Sequence, residues 1–211
     1  MFNFFCRLCV TSVILIASLA ASFNLHAAGK NKETAIFATG CFWCTEKDFE
    51  GVKGVISAES GYIRGHVEKP NYKQVSAGTT GHTEAVRVIY DRNEVSYEDL
   101  LSVFWYSSDP FVKDQQFCDH GSQYRSGIYY LGEAQKQAAL DSKEQLVKRH
   151  NITDTIYTEI LPATKFWPAE EFHQDYYKKN SFRYHFYRLG CGREDRLETI
   201  WESRAGWKPK T

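Results

Sequence analysis

The sequence predicts an α+β fold, a two-layer sandwich in which helices cover one face of a mixed β-sheet. Stretches that favour strands alternate along the chain with stretches whose apolar residues recur at helical spacing. Their order, β-α-β-β-α-β, is that of a ferredoxin-like core. The chain has 211 residues, of which 43% are hydrophobic, and this is enough apolar side chain for one sizeable core.

The first predicted elements form the first half of that core. Residues 33–39 (ETAIFAT) predict a short apolar strand, and residues 45–52 (TEKDFEGV), behind two cysteines, predict a helix. Residues 55–63 (VISAESGYI) predict the second strand. Residues 70–81 (PNYKQVSAGTTG) indicate a helical turn that leads into a glycine-rich loop, and residues 84–91 (EAVRVIYD) alternate cleanly as the third strand.

The second half of the core begins with a helix whose start is marked by a capping residue. Ser96 opens the stretch SYEDLLSVFWYS, and Asp99 follows it at the spacing of a capping box. The predicted buried stripe of this helix consists of Leu100, Leu101, Phe104 and Trp105. Residues 125–131 (RSGIYYL) then complete the core as its fourth strand.

The rest of the chain predicts a C-terminal helical extension. It contains an amphipathic helix at 133–150, a strand at 155–161 (TIYTEIL) and a further helix that begins at Pro168. A polar, aromatic tail at 181–211 finishes the chain. We predict a single domain over 33–211, because no repeat, low-complexity tract or linker interrupts it.

The first 28 residues differ from the rest and predict a secretory signal peptide. Arg7 precedes an uncharged, largely apolar run, and small residues close this run before Lys30. Cleavage is expected after Ala20 or after Ala27, and no stable membrane insertion is expected afterwards. An uncleaved membrane anchor is the alternative, although the Ser, Asn and His residues of the run disfavour it. The expected location is the periplasm or the exported space, or the membrane if the segment is retained.

The charge of the chain bears on its partners. The 26 basic and 26 acidic residues balance, and no long basic block is present. Nucleic acid is therefore not an expected partner. We expect the protein to be a monomer.

The chain contains six cysteines, of which Cys6 and Cys9 lie in the predicted signal peptide. Disulfide frameworks are common in exported proteins, but a core of this size does not require one, so redox chemistry remains open. A structural zinc site usually needs two close pairs of ligands. Cys118 and Cys191 stand alone in the sequence and no His-x-x-x-His follows, so zinc is not expected.

The segment ATGCFWCTEKDFE, residues 38–50, is the strongest candidate for a reactive site. Cys41 follows a strand and Gly40 and opens a helix, where free backbone N–H groups and the helix dipole favour a thiolate. A buried structural cysteine is the alternative interpretation. Because Cys44 stands three residues later, the two thiols could form a short-loop disulfide of the labile, catalytic kind.

Several polar and aromatic residues accompany these cysteines. The alternation of the third strand puts Glu84 on the apolar face, where burial would raise the pKa of its carboxyl and suit it to act as an acid. A solvated glutamate at the end of a strand is the alternative. Tyr72, Asp119 and Tyr124 lie in turn-rich segments. Packing in the core would explain either tyrosine alone. It does not explain why two tyrosines and an aspartate occur together in such segments.

These segments resemble the motifs of the peptide methionine sulfoxide reductase A family. The similar stretches are GCFWCTE, GYIRGHVEKPNYKQVSAGTTGHTEAVRV and DHGSQYRSGIYY, in the family's order and at family-like spacings. The resemblance covers about residues 34–180 and implies an α+β fold with an open site. It also implies thiol-dependent reduction of methionine S-sulfoxide, free or in proteins, without a bound cofactor and with electrons from a thioredoxin-type reductant.

The resemblance further implies a role in catalysis for each polar residue. Cys41 is the expected nucleophile and Glu84 the expected proton donor. Tyr72 and Tyr124 would hold the sulfoxide oxygen through their hydroxyl groups. Asp119 is similar to the family's supporting carboxylate.

The resemblance also implies roles for the aromatic residues and the other cysteines in substrate binding and recycling. Phe42 and Trp43 would wall a pocket for the methyl group of the substrate. Attack would leave a sulfenic acid on the nucleophile, and Cys44 would condense with it to a disulfide. The short form of the family often lacks this second cysteine and resolves through C-terminal ones, so a relay to Cys191 is the alternative. Cys118 occupies a position that asparagine holds more often.

Two other functions remain open. A thioredoxin-like thiol-disulfide exchange protein would also carry two cysteines at a helix start, but it would need neither Glu84 nor Tyr72. A non-catalytic sulfoxide-binding module would be indifferent to Cys44. For a reductase in an oxidising space, a disulfide between Cys41 and Cys44 is the expected resting state, and a thioredoxin-fold donor would reduce it. Its expected substrates are oxidised proteins or peptides that carry methionine sulfoxide.

Overall fold

The structure, a computed structural model, describes residues 31–201, so the predicted signal peptide lies outside the described residues. Its strands in chain order are β1 (Lys32–Ala38), β2 (Val55–Ile63), β3 (Thr83–Asp91), β4 (Gln115–Gln116), β5 (Asp119–His120), β6 (Gly127–Tyr130), β7 (Glu159–Pro162) and β8 (Trp167–Pro168). Its helices are α1 (Phe42–Glu50), α2 (Tyr72–Ser76), α3 (Tyr97–Tyr106), α4 (Glu133–His150), α5 (Tyr176–Lys179), α6 (Ser181–Gly190) and α7 (Arg193–Trp201). Two 3₁₀ turns cover Ser122–Tyr124 and Glu171–His173.

Six of the strands form one mixed sheet in the order β7-β6-β1-β3-β2-β8. The four central strands are those of the predicted β-α-β-β-α-β core. Strand β2 pairs antiparallel with β3, and β1 pairs antiparallel with β6, whereas β7 adds to β6 in parallel. The α+β prediction and the mixed sheet are therefore confirmed.

The main hydrophobic core lies between the sheet and its helices. Phe37 of β1 stacks on Phe49 of α1 with ring centroids 4.7 Å apart. Helix α3 begins at the predicted cap, because the Ser96 hydroxyl accepts from the Asp99 N–H and the Asp99 carboxylate accepts from the Ser96 N–H. Its four predicted core residues are all buried. Strand β3 presents its alternate residues to this core, which is what brings Glu84 under α1.

The opposite face of the sheet is more open. A cavity of about 740 Å³ opens there and is lined by residues of β1, β2 and β3, including Ile36, Glu59 and Arg87. None of the predicted site residues lines this cavity. The face that carries the helices therefore also carries the candidate chemistry.

Three predicted boundaries are wrong. Helix α1 begins at Phe42, so it includes the second cysteine and both aromatic residues of the motif. The predicted strand 155–161 is only Glu159–Pro162. Pro168 does not begin a helix but lies in β8, which pairs with β2 through Gly61 and Tyr62. A proline is tolerated there because β8 is the outermost strand of the sheet and its free side needs no donor.

The region before β6 and the tail hold structure that the sequence did not predict. Strands β4 and β5 form a two-stranded hairpin. The described part of the tail, residues 181–201, forms α6 and α7, which return to the region of the two-cysteine motif. Among residues 31–201, no helix is both long and apolar enough to cross a membrane.

Candidate active site

The turn between β1 and α1 carries the first thiol in a buried position. Gly40 has φ +94°, and a Cβ on it would lie 2.6 Å from the Cβ of Gln116, so only glycine fits here. Cys41 is the residue before α1, and its carbonyl accepts from the N–H groups of Cys44 (3.1 Å) and Thr45 (3.2 Å). The predicted placement of Cys41 at the start of a helix is confirmed.

Glu84 lies directly beside this helix start. Its side chain is only 1% exposed, and its Oε2 accepts from the N–H of Phe42 at 3.1 Å. Burial raises the pKa of the Glu84 carboxyl to about 8, and the negative charge of Asp119 adds to the effect, while the hydrogen bond from Phe42 opposes it. The predicted buried, weakly acidic carboxyl is present, and the alternative of a solvated strand-end glutamate is excluded.

The two cysteines of the motif are both buried thiols in this structure. Burial, the hydrogen bond to Cys44 and the charges of Glu84 and Asp119 raise the pKa of Cys41 well above its usual value. The hydrogen bond from Cys41 lowers the pKa of Cys44 to about 7 despite burial, and the positive charge of Arg193 contributes. Burial opposes the charged form of Cys41 that the helix start favours, so the expected Cys41 thiolate stays a prediction. The predicted Cys41–Cys44 disulfide is not the state that this structure holds.

The structure brings both predicted tyrosines and the predicted aspartate to the same site. Tyr72 lies at the start of α2, and Tyr124 ends a 3₁₀ turn. Burial and the charge of Glu84 raise the pKa of both phenols, that of Tyr72 to about 12, and Asp119 and Cys41 act on both in the same direction. Groups that perturb one another in this way share one electrostatic environment, as a common site requires.

Phe42 and Trp43 contribute to an aromatic cluster around His173. The Trp43 indole N–H donates to His173 Nδ1 at 3.0 Å, and the rings of Phe42 and Tyr72 lie 5.0 Å and 4.4 Å from the imidazole. Tyr176 stacks on Trp43 at 3.8 Å. The cluster gives the site an apolar wall next to Cys41.

Several site residues were missed in the sequence. His173 stands in EFHQDYY, where a histidine among aromatic residues was the available signal. The Tyr187 hydroxyl donates to Asp119 Oδ2 at 2.5 Å, and its ring meets the edge of Trp43 at 5.8 Å. Arg193 is 2% exposed and donates to the Thr39 carbonyl at 3.2 Å. The tail therefore contributes directly to the site.

Cys118 and Cys191, which stand alone in the sequence, form a disulfide in the structure. They are 73 residues apart in the sequence, so their spacing gave no sign of the pairing. The hairpin β4–β5 brings Cys118 to the end of α6, where Cys191 follows. The disulfide thus joins the hairpin that carries Asp119 to the helix that carries Tyr187.

Two groups of residues within 31–201 could in principle hold a metal ion, since their ligand atoms lie within 4.8 Å of one another. One is Cys118, Asp119 and Cys191, whose two sulfurs are already bonded together. The other is Glu46, Glu50 and Asp175, in which the Lys178 ammonium group pairs with two of the carboxylates. Neither group includes Cys41 or Glu84.

Comparison with known sequences gives consistent matches. The model of the family described as peptide methionine sulfoxide reductase matches residues 33–205. The peptide methionine sulfoxide reductase MsrA 2 of Caulobacter vibrioides is 46% identical over 195 residues, which cover 92% of this chain and 98% of that protein. The MsrA of Bacillus licheniformis is 45% identical over 82% of this chain and 95% of its own length.

Solved structures agree with these matches. Methionine sulfoxide reductase A of Corynebacterium diphtheriae is 34% identical and superposes with a TM-score of 0.68 over 72% of this chain and 76% of its own. Mxr1 of Saccharomyces cerevisiae in its reduced form is 29% identical, with the same TM-score over 72% of this chain and 88% of its own. The similarity extends through the fold that positions the site.

Proposed function

This chain belongs to the peptide methionine sulfoxide reductase family and reduces methionine sulfoxide to methionine, and we propose that Cys41 is the thiol that does so. One observation carries the proposal: the N–H next to Cys41 binds the buried carboxyl of Glu84 at 3.1 Å. Sulfoxide reduction needs a nucleophile for sulfur and a proton for oxygen, because oxide is a poor leaving group. The turn before α1 supplies the nucleophile, and the adjacent end of β3 supplies the proton.

Glu84 is the proton donor in this proposal. A carboxyl with a pKa of about 8 is mostly protonated at neutral pH, so it can give a proton to the sulfoxide oxygen. Tyr72 and Tyr124 keep their phenol protons under the same conditions, since burial raises both pKa values. Their hydroxyls can therefore donate to the oxygen as it gains negative charge.

The aromatic cluster around His173 is the proposed site for the methyl group of the substrate. Phe42 is 1% exposed and fixed within the core, while Trp43 is half-buried and locked by its hydrogen bond to His173. In this proposal the partly exposed ring of Trp43 provides the apolar surface, and the buried ring of Phe42 supports it from the core. An apolar methyl group gains by leaving water at such a surface.

The first chemical step consumes one thiol and one sulfoxide. Cys44 has a pKa of about 7 and accepts a hydrogen bond from the Cys41 thiol, so its thiolate form is the nearest acceptor for the Cys41 proton. The Cys41 sulfur attacks the sulfoxide sulfur while Glu84 protonates the oxygen. The oxygen ends on Cys41 as a sulfenic acid, and the sulfide leaves as methionine.

Recycling requires two electrons from outside the chain. The Cys44 thiol condenses with the Cys41 sulfenic acid to form a disulfide and release water. An external dithiol of the thioredoxin type then reduces this disulfide and is itself oxidised. These steps use only side chains and an exchangeable donor, so the proposal includes no bound cofactor.

The proposal extends to substrate and location. We propose that the enzyme takes the S epimer, free or within oxidised proteins, since the two epimers require different reductases. We also propose export through residues 1–28, supported by their basic start, apolar middle and small-residue end. Thiol-disulfide exchange is the second candidate function, but it makes no use of the protonated Glu84.

Epimer-resolved turnover with dithiothreitol tests the proposal. The purified protein is expected to convert S-epimeric methionine sulfoxide, free and in a peptide, and to leave the R epimer unchanged. Cys41→Ser is expected to abolish the conversion, because serine lacks the nucleophilic sulfur. Turnover of the R epimer alone, or undiminished turnover by Cys41→Ser, would contradict it.

A further inference from the structure

The C-terminal tail is tied to the active site by a covalent bond. Cys118 immediately precedes Asp119, and Cys191 immediately follows α6, which carries Tyr187. Their disulfide therefore fixes the two residues of the 2.5 Å hydrogen bond between Tyr187 and Asp119 relative to each other. Tyr187 also meets the edge of Trp43 at 5.8 Å.

Two residues beyond Cys191, a buried arginine supports the turn before the catalytic thiol. Arg193 is 2% exposed and donates to the Thr39 carbonyl (3.2 Å), the Thr39 hydroxyl (3.0 Å) and the Ser107 carbonyl (2.6 Å). The Thr39 hydroxyl is itself 2.8 Å from that of Thr45 in α1. The tail thus holds both ends of the turn that contains Cys41.

The two cysteine pairs differ in oxidation state within one structure. Cys118 and Cys191 are bonded, whereas Cys41 and Cys44 are both thiols. For Cys191 to take part in recycling, its bond to Cys118 would have to break and its sulfur would have to reach the Cys41–Cys44 pair. That movement would pull on Tyr187 and Arg193, which flank Cys191 in sequence and are held by the hydrogen bonds above.

We propose that the Cys118–Cys191 disulfide is a positioning cross-link of the active site that remains formed throughout the catalytic cycle. It holds Tyr187 against Asp119 and Arg193 against Thr39. Cys41 and Cys44 alone carry the two electrons from the donor to the sulfoxide. This inference rests on the proposed function, because it assigns the cross-link a part in the same reaction.

The test uses the double variant Cys118→Ser/Cys191→Ser, which leaves no odd thiol to form mixed disulfides. Enzyme in which Cys41 and Cys44 are thiols, and in which the unaltered chain keeps its Cys118–Cys191 bond, is mixed with saturating S-epimeric sulfoxide without a reductant. Methionine is quantified against time well below the unfolding midpoint. We expect the first-turnover rate to fall about tenfold, the effect of one mispositioned hydrogen bond. One methionine per enzyme and recycling by a thioredoxin-type dithiol are expected to remain.

Two further variants separate positioning from general stability. Tyr187→Phe keeps the disulfide but lacks the hydroxyl, and we expect a similar loss of rate that does not add to the loss in the double variant. Leu146→Ala removes buried side chain from α4, far along the chain from the cross-link, and is expected to lower the unfolding temperature without changing the first-turnover rate.

Three results would overturn the inference. An unchanged first-turnover rate in the double variant would make the disulfide a structural cross-link only. An unchanged rate combined with lost recycling would make it an electron relay. A rate that falls equally in Leu146→Ala would trace the effect to stability. If the unaltered enzyme reduced no sulfoxide at all, the proposed function would fail instead, which is a separate outcome.

Discussion

At the scale of single residues, the site depends on which groups hold protons before the substrate arrives. Cys41 is the proposed nucleophile, yet burial and two nearby carboxyl groups raise its pKa and disfavour its charge. Glu84 keeps its proton for the same reason. In the free enzyme, the Cys41 thiol therefore lies close to the protonated Glu84 carboxyl. In the proposed reaction, this carboxyl is available to protonate the sulfoxide oxygen as soon as the substrate binds.

The variant Glu84→Gln tests whether the protonated Glu84 carboxyl acts as the proton donor. The amide keeps the size of the side chain and an oxygen that can accept from Phe42, but it cannot give up a proton to the substrate. We expect the first-turnover rate to fall on the order of 10²–10⁴-fold, the usual size of a general-acid contribution. Rapid-quench measurement of methionine formation gives this rate.

The pH dependence of the same rate supplies the control. Glu84 is protonated below its pKa of about 8, so the rate for the unaltered enzyme is expected to decline as pH rises through 8. The Glu84→Gln variant should show no decline near pH 8. A decline that persists in the variant would assign the titration to another group and contradict the role of Glu84.

At the scale of elements, the β1–α1 turn determines where Cys41 lies in the active site. Gly40 adopts a φ of +94°, and Gln116 of β4 closes the space where its side chain would be. The hairpin that carries Gln116 was not predicted, because two-residue strands leave no periodic pattern. The turn is thus set by a contact that the local sequence does not reveal.

Gly40→Ala is expected to strain this turn. Both the backbone angle and the 2.6 Å contact oppose a Cβ, and we expect a loss of about 1–3 kcal/mol in the free energy of unfolding together with slower sulfoxide reduction. Denaturant titration and single-turnover rates measure the two effects. Gly132→Ala is the matched control, because its backbone is extended and nothing lies within 4 Å of the added carbon. Equal losses in both variants would mean that the turn is not specifically constrained.

At the scale of the whole molecule, the sequence predicted the sheet core and several residues that come together at the candidate site, but not the structure of the tail. Strand β2 and helix α4 match their predicted bounds, since alternation and helical periodicity are local signals. The pairing of Cys118 with Cys191 and the approach of Arg193 to Thr39 join distant segments, and no local pattern encodes them. The sequence shows the helix start at Cys41, which favours its thiolate, but not the burial that raises its pKa.

The electron donor provides a prediction at this scale. If Cys44 resolves the sulfenic acid, Cys44→Ser should still make one methionine per enzyme but should not turn over with a thioredoxin-type donor. A donor that lacks its own second cysteine should be trapped on Cys44, because attack there frees Cys41 for the next turnover. Mass spectrometry of the trapped complex locates the mixed disulfide. A link to Cys191 would contradict both this assignment and the cross-link proposed above.

The contact between Arg193 and Thr39 spans 154 residues, and this has a consequence for the order in which the enzyme is made. Synthesis runs from the N-terminus, so both reactive cysteines and Glu84 are finished long before Arg193 and Tyr187. A growing chain carries its thiols without the buried guanidinium that lowers the pKa of Cys44. In a chain that crosses a membrane N-terminus first, the site can close only on the far side, after its last helices have followed. If residues 1–28 direct export, as proposed above, the enzyme would become active only after the whole chain has crossed.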